Sequence, residues 1–274
     1  MATPAVAAAV RVAAEFGYPS DDPHVVQRTN NIVVWLRPHD VIAKVGTDSN
    51  GFDGLVREHA LGVELADGGS IAPPLVGTEP AIDGETHFLV TLWRRLADDR
   101  TIEVAPPDVA SSLRRLHTEL ARSDTTLPSF RAGLRRARSV LADDREMSAL
   151  DVSDRTLLRV AFDRLLSNLA GHTFTEQALH GEPHDGNLVS TDAGLRWIDL
   201  EAACRGPLEW DLAFLPNETV DLFPEAEPAL LALLRSLNSA RVATWCWRRV
   251  DVGDMRWHAE HHLERVRRDL NTAR

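Results

Sequence analysis

HGEPHDGNLVSTDAGLRWIDLE, residues 180–201, places a turn between two short apolar runs and surrounds them with polar groups. Asp192-Ala193-Gly194 predicts a hairpin that joins 187–189 to 195–198. Its closure sets Asn187 near Asp199. Asn187 supplies a side-chain carbonyl and Asp199 a carboxylate, hard oxygen donors of the kind that suit Mg²⁺. Glu201 is either a further metal-facing carboxylate or a residue that merely flanks the site. Glu182 lies five residues before Asn187, at the place where a carboxylate accepts or orients the proton of an attacking hydroxyl. His180 and His184 fit a loop-bracing role better than a metal site.

Working upstream, only one of the 30 basic residues is a lysine, Lys44; the rest are arginine. An ammonium is a compact point charge that a planar guanidinium fork does not replace. Lys44 falls on the second of two strands predicted in VVQRTNNIVVWLRPHDVIAKVG, with the turn at 37–40. Residues 52–66 carry a helical apolar period, and Glu58 lies on a face that can return toward that strand. Such a pair positions an ammonium against nucleotide phosphates.

The first 93 residues thus predict a helix at 4–16, the two strands, the 52–66 helix and a hairpin whose arms flank an Asp83-Gly84 turn, with Leu75-Val76-Gly77 before it and THFLVTLW after. Helices follow from about 106, beginning with Pro106-Pro107, and continue through 127–170. Beyond Gly206-Pro207 they resume near 208–215, 225–250 and 254–270. Trp245 and Trp247 read as core residues, and Asp211 as a brace for the 180–187 loop or a helix cap. His258 and His262, at i and i+4, lack a third ligand and read as a solvated helix face.

The totals narrow the classes. A chain of 274 residues with 44% hydrophobic content is an ordinary globular protein. Two cysteines, Cys204 and Cys246, are too few for a disulfide framework. A net charge of -11 argues against a nucleic-acid partner. No run reaches membrane-span length, and the alanine-rich start, interrupted by Arg11 and Glu15, is unlike a secretory segment. The cytoplasm is the expected location.

HGEPHDGN, followed by IDLE and GPLEWDLA, resembles the catalytic loop and metal motif of the aminoglycoside phosphotransferase and choline kinase superfamily. His180, Gly181, Asn187, Asp199, Glu201, Gly206, Pro207, Trp210 and Asp211 match its pattern. The resemblance implies an α+β, two-lobed protein-kinase-like fold: a β-rich nucleotide-binding lobe over 1–93 and a helical lobe over 94–274 that holds the catalytic loop and acceptor site. It implies ATP and Mg²⁺ as cofactors, with Lys44, Glu58, Asn187, Asp199 and backbone near Val90 and Leu92 toward the nucleotide. Asn187, Asp199 and Glu201 would face the metal, and Glu182 would be the base. The implied reaction moves the γ-phosphoryl group to a hydroxyl of an aminoglycoside-like antibiotic, a sugar or an amino alcohol. Two positions depart from the family pattern. Arg28-Thr29-Asn30-Asn31 replaces a glycine-rich phosphate loop. Glu182 replaces an aspartate, which shifts the carboxylate by roughly 1.5 Å; a catalytically weak nucleotide-binding regulator of the same fold is therefore the alternative.

Overall fold

The computed structural model describes residues 3–28, 31–97 and 103–272. Helix α1 (Pro4–Glu15) opens on a proline, whose fixed φ suits a first helical turn, and buries Val6, Ala9, Val12 and Ala13 on one side. Strands β1 (Asp22–Arg28), β2 (Ile32–Arg37) and β3 (Val41–Gly46) follow, then α2 (Phe52–Glu64), β4 (Ala81–Ile82) and β5 (Leu89–Arg94). Next come α3 (Pro106–Leu120), α4 (Arg131–Ala142), α5 (Val152–Leu169), β6 (Gln177–Leu179), β7 (Leu188–Thr191), β8 (Gly194–Trp197) and β9 (Cys204–Gly206). The chain finishes with α6 (Leu208–Leu212), α7 (Asn217–Val220), α8 (Pro228–Arg248) and α9 (Met255–Thr272).

Two local expectations are corrected. The segment before the 37–40 turn forms two strands, β1 and β2, which pair antiparallel across the polar Thr29-Asn30-Asn31 interruption. The arm before the Asp83-Gly84 turn is Ala81–Ile82, paired with Val90 and Leu89. Val76 is instead almost fully exposed, and Gly77 has φ 77°, a turn conformation.

The chain divides into two compact units, residues 1–126 with 182–203, and residues 127–181 with 204–274. The first contains an antiparallel sheet of order β1-β2-β3-β5-β4 and the separate β7–β8 hairpin. Val34, Leu36, Ala43, Val45, Val90 and Leu92 pack with α1 in its core. Side chains alternate across a strand, so Lys44, between Ala43 and Val45, projects from the other face. The second unit is helical: Leu134, Leu158, Phe162, Leu234, Leu237 and Leu263 share one core, which also takes in Trp210 and Trp247. The protein is thus α+β, with a sheet-bearing lobe and a helical lobe. Among the described residues, no helix is long and apolar enough to cross a membrane.

One ion pair ties α1 to the sheet. Arg11 donates through Nε and Nη2 to the two oxygens of buried Asp83, both at 2.8 Å. The backbone N–H and hydroxyl of Thr86 add two more bonds. The Arg11 hydrogen bonds hold the Asp83 carboxyl below the usual carboxylate range, against the opposing effect of burial. A depressed pKa stabilises the fold above the ordinary carboxylate pKa and ceases to do so as pH falls toward the native value. Thermal melts from pH 7 down to pH 3 are expected to show an acid-side loss of stability that is shallower in Asp83→Asn, which also starts from a lower melting temperature.

Candidate active site

Lys44 sits in mid-strand on β3, opposite Thr91 of β5. Its Nζ lies 2.7 Å from Glu58 Oε2, 2.9 Å from Asp199 Oδ1 and 2.7 Å from Glu201 Oε1. One ammonium thus faces three carboxylates. Burial alone would lower the Lys44 pKa, but the attraction of Asp199, Glu58 and Glu201 overrides it and holds the pKa well above the usual lysine value. Burial pushes the Glu58 carboxyl up to about 8, opposed by Lys44 and reinforced by Glu201 and Asp199. Burial likewise raises Glu201. Three carboxyl groups thus share one ammonium, and the two more buried ones hold their protons more tightly than usual.

The hairpin supplies the second half of the site. β7 pairs with β8 from Leu188–Trp197 to Thr191–Gly194, and Gly194 takes the φ of 102° that closes the turn. The ladder extends one step further, with Ile198 N–H donating to the Asn187 carbonyl at 2.9 Å. This step sets Asn187 beside the end of β8, where Asp199 follows. Asp199 has φ 66° and ψ 56°, a left-handed conformation. Aspartate enters it more readily than most residues with a side chain, and the turn around it holds it there. Here Glu58 Oε1 accepts the next N–H, that of Leu200, at 3.2 Å.

A divalent cation fits this donor set. Oxygens from Glu58, Asp199 and Glu201 lie within 4.8 Å of one another. They are hard ligands of the kind a divalent cation prefers. Asn187 is buried, and its amide nitrogen donates to the Glu182 carbonyl at 3.0 Å. This bond fixes the orientation of the side chain and leaves Oδ1 as its metal-competent atom.

The 182–187 loop is held by its own backbone. The Glu182 carbonyl also accepts the His184 N–H at 2.9 Å, and the His184 carbonyl accepts the Asn187 N–H at 2.8 Å. His184 Nδ1 accepts from Gly186 N–H at 3.1 Å, a bracing role like the one its position predicts. The side chain of Glu182 is half-buried. In the other unit, the fully buried Asp211 accepts the N–H groups of His180 at 3.0 Å and Gly181 at 2.8 Å. Asp211 is therefore a loop brace. Gly181 has φ 90°, which suits glycine.

Val90 and Leu92 are placed differently from the expectation of adenine-facing backbone. Their side chains lie in the core shared with α1. Val90 is paired with Val45 on one side and Ala81 on the other. The Leu92 carbonyl accepts Leu75 N–H at 3.0 Å, opposite its pairing with Ala43. Both residues thus lie within the sheet, with a partner on either side.

Thr29 and Asn30 of the expected phosphate loop lie outside the described residues. Asn31, beside them, donates to Glu201 Oε1, the same atom that meets Lys44. Arg57 reaches the Glu201 carbonyl through Nη2 at 2.6 Å. Neither role is visible in the sequence, where Asn31 is one polar residue among several and Arg57 one arginine among many. On α9, His262 is largely buried rather than solvated, and burial lowers it to about 4.

A family model described as "Phosphotransferase enzyme family" matches residues 30–261. No curated protein sequence matches the chain. Among solved structures, a choline/ethanolamine kinase family protein from Mesorhizobium loti is 19% identical, with 96% of this chain and 92% of that chain covered and a TM-score of 0.64. Choline kinase LicA from Streptococcus pneumoniae is 15% identical over 96% of this chain and 98% of that chain, with a TM-score of 0.68. The GDP complex of aminoglycoside 2'-phosphotransferase-IIIa is 13% identical over 97% and 99%, with a TM-score of 0.69. At such identities the likeness shows a shared fold.

Proposed function

Because the chain belongs to the phosphotransferase enzyme family, we propose that it is a small-molecule kinase that moves the γ-phosphoryl group of ATP, with Mg²⁺, to a hydroxyl of a small polar acceptor. The observation that carries this reading is the cage itself: Lys44 Nζ within 2.9 Å of Glu58, Asp199 and Glu201. Phosphoryl transfer asks a protein chiefly for positioning and for charge to offset the phosphate oxygens. Lys44 offers that charge to the nucleotide phosphates, and Glu58 fixes where the ammonium points. Asn187 Oδ1 and Asp199 would hold Mg²⁺, with Glu201 alongside. When bound, the cation neutralises charge on the phosphate oxygens. Glu182 accepts or orients the proton of the acceptor hydroxyl. The structural relatives are described as acting on choline or aminoglycosides, and an amino alcohol, a sugar or an aminoglycoside-like antibiotic is the acceptor class we infer here. The cytoplasm, where ATP is supplied, is the setting.

The test is incubation of the purified protein with Mg²⁺ and ATP against a panel of hydroxylated metabolites and antibiotics, read by mass spectrometry for phosphorylated product. A product that requires Mg²⁺ supports a kinase. Nucleotide binding with no product across the panel favours the regulatory alternative, which Glu182 motivates.

Glu182 itself gives a sharper expectation. Its backbone is fixed by His184 and Asn187, so the reach of its carboxylate depends on side-chain length. Glu182→Asp withdraws the group by roughly 1.5 Å, and turnover is expected to fall about 100-fold, the cost of misplacing a reacting group by about 1 Å. A gain in rate would instead mark Glu182 as a detuned base.

A further inference from the structure

Helix α2 grips the turn after β8 through two consecutive residues. Glu58 Oε1 accepts Leu200 N–H at 3.2 Å, and Arg57 Nη2 donates to the Glu201 carbonyl at 2.6 Å. One helical turn earlier, a Cβ on Gly54 would lie 3.4 Å from the same carbonyl oxygen. Helix and turn thus pack at ordinary van der Waals distance. Asp199 directly precedes the gripped pair, in its left-handed conformation.

The two grips are not equivalent. Glu58 is shared, since its other oxygen holds Lys44 at 2.7 Å. A swing of the ammonium toward a phosphate redistributes that carboxylate. Arg57 acts on the turn without Lys44. We propose that Arg57 is a positioning residue for Asp199: by holding the Glu201 carbonyl it keeps the 199–201 turn closed and maintains the left-handed Asp199 in its metal-receiving geometry. This rests on the reading of Asp199 as a magnesium ligand. The contact that Arg57 makes with the turn is to a backbone carbonyl.

The experiment compares wild type, Arg57→Ala, Arg57→Lys and Gly54→Ala by two readouts. In the metal-free protein, hydrogen–deuterium exchange is followed across 199–203. In protein saturated with the non-hydrolysable analogue AMP-PNP, Mg²⁺ is titrated calorimetrically. Arg57→Ala is expected to speed exchange in that segment and weaken Mg²⁺ about tenfold or more, the usual cost of losing an outer-shell partner. Arg57→Lys keeps a donor and recovers most of the affinity. Gly54→Ala, whose Cβ meets only ordinary contacts, leaves it unchanged. An unaltered Mg²⁺ affinity in Arg57→Ala overturns the proposal, whatever happens to melting temperature. If Arg57→Ala fails to fold, Arg57→Lys against Arg57→Met, which keeps a long side chain without a donor, carries the comparison, and equal Mg²⁺ affinity in those two overturns it. A wild type that takes up no Mg²⁺ with the nucleotide sinks the assignment of Asp199 itself, an outcome distinct from a normal wild type with an indifferent Arg57.

Discussion

Asp199→Ala is expected to lower phosphoryl transfer by about a thousandfold or more. A positioned cation contributes several kcal/mol of charge stabilisation at the transferring group, and each 1.36 kcal/mol is a factor of about ten in rate. The carboxylate is the most exposed of the three around Lys44, with 41% of its side chain accessible. It is thus the one best placed to exchange a lysine contact for a cation. Folding should change little, because Lys44 keeps Glu58 and Glu201. Asp199→Asn separates charge from backbone shape. Asparagine tolerates the left-handed region as aspartate does, so activity lost in both variants points to the charge. Undiminished turnover in Asp199→Ala would sink the metal assignment.

Replacing Lys44 is expected to damage stability as well as activity. Lys44 is largely buried and Glu58 fully so, and removing the ammonium leaves three carboxyl groups without their shared partner, a loss of about 3–5 kcal/mol on the scale of a broken buried pair. Lys44→Ala should therefore unfold at markedly lower urea than wild type. Adding Glu58→Gln removes the most deeply buried of the three carboxyl groups and should restore part of the loss while leaving the protein inactive. Lys44→Arg is the complementary change: it keeps the charge but replaces a point ammonium with a planar fork. A stable but crippled Lys44→Arg is expected. Full activity in that variant would mean that the solitary lysine has no special role.

The sequence made the constellation legible because its parts follow from local rules. A two-residue turn with glycine after it predicted β7–β8, and the hairpin ladder carried Asn187 to the end of β8 where Asp199 follows. A helical period over 52–66 put Glu58 where it meets Lys44. What stayed hidden depends on encounters between distant segments. Arg57 meets Glu201 across 144 positions of sequence, and nothing in one arginine among 29 marks it. The Leu75–Leu92 bond that closes the far side of β5 belongs to an isolated bridge rather than a strand with its own period. That second neighbour of Leu92 has no signature in the sequence. The left-handed Asp199 was equally silent, since aspartate visits that region without any local signature. For Asp211 the sequence leaves a loop brace and a helix cap open, and two backbone donors from His180 and Gly181 fit the brace.

Calorimetric titration of ATP into wild type and Asp199→Ala, each with and without Mg²⁺, tests the Lys44–Asp199 cage most directly as a magnesium–nucleotide phosphate site. Wild type is predicted to bind one ATP much more tightly with Mg²⁺ than without it, and Asp199→Ala to lose that difference. Binding that is indifferent to Mg²⁺ in wild type, or a magnesium effect that survives intact in Asp199→Ala, would contradict it.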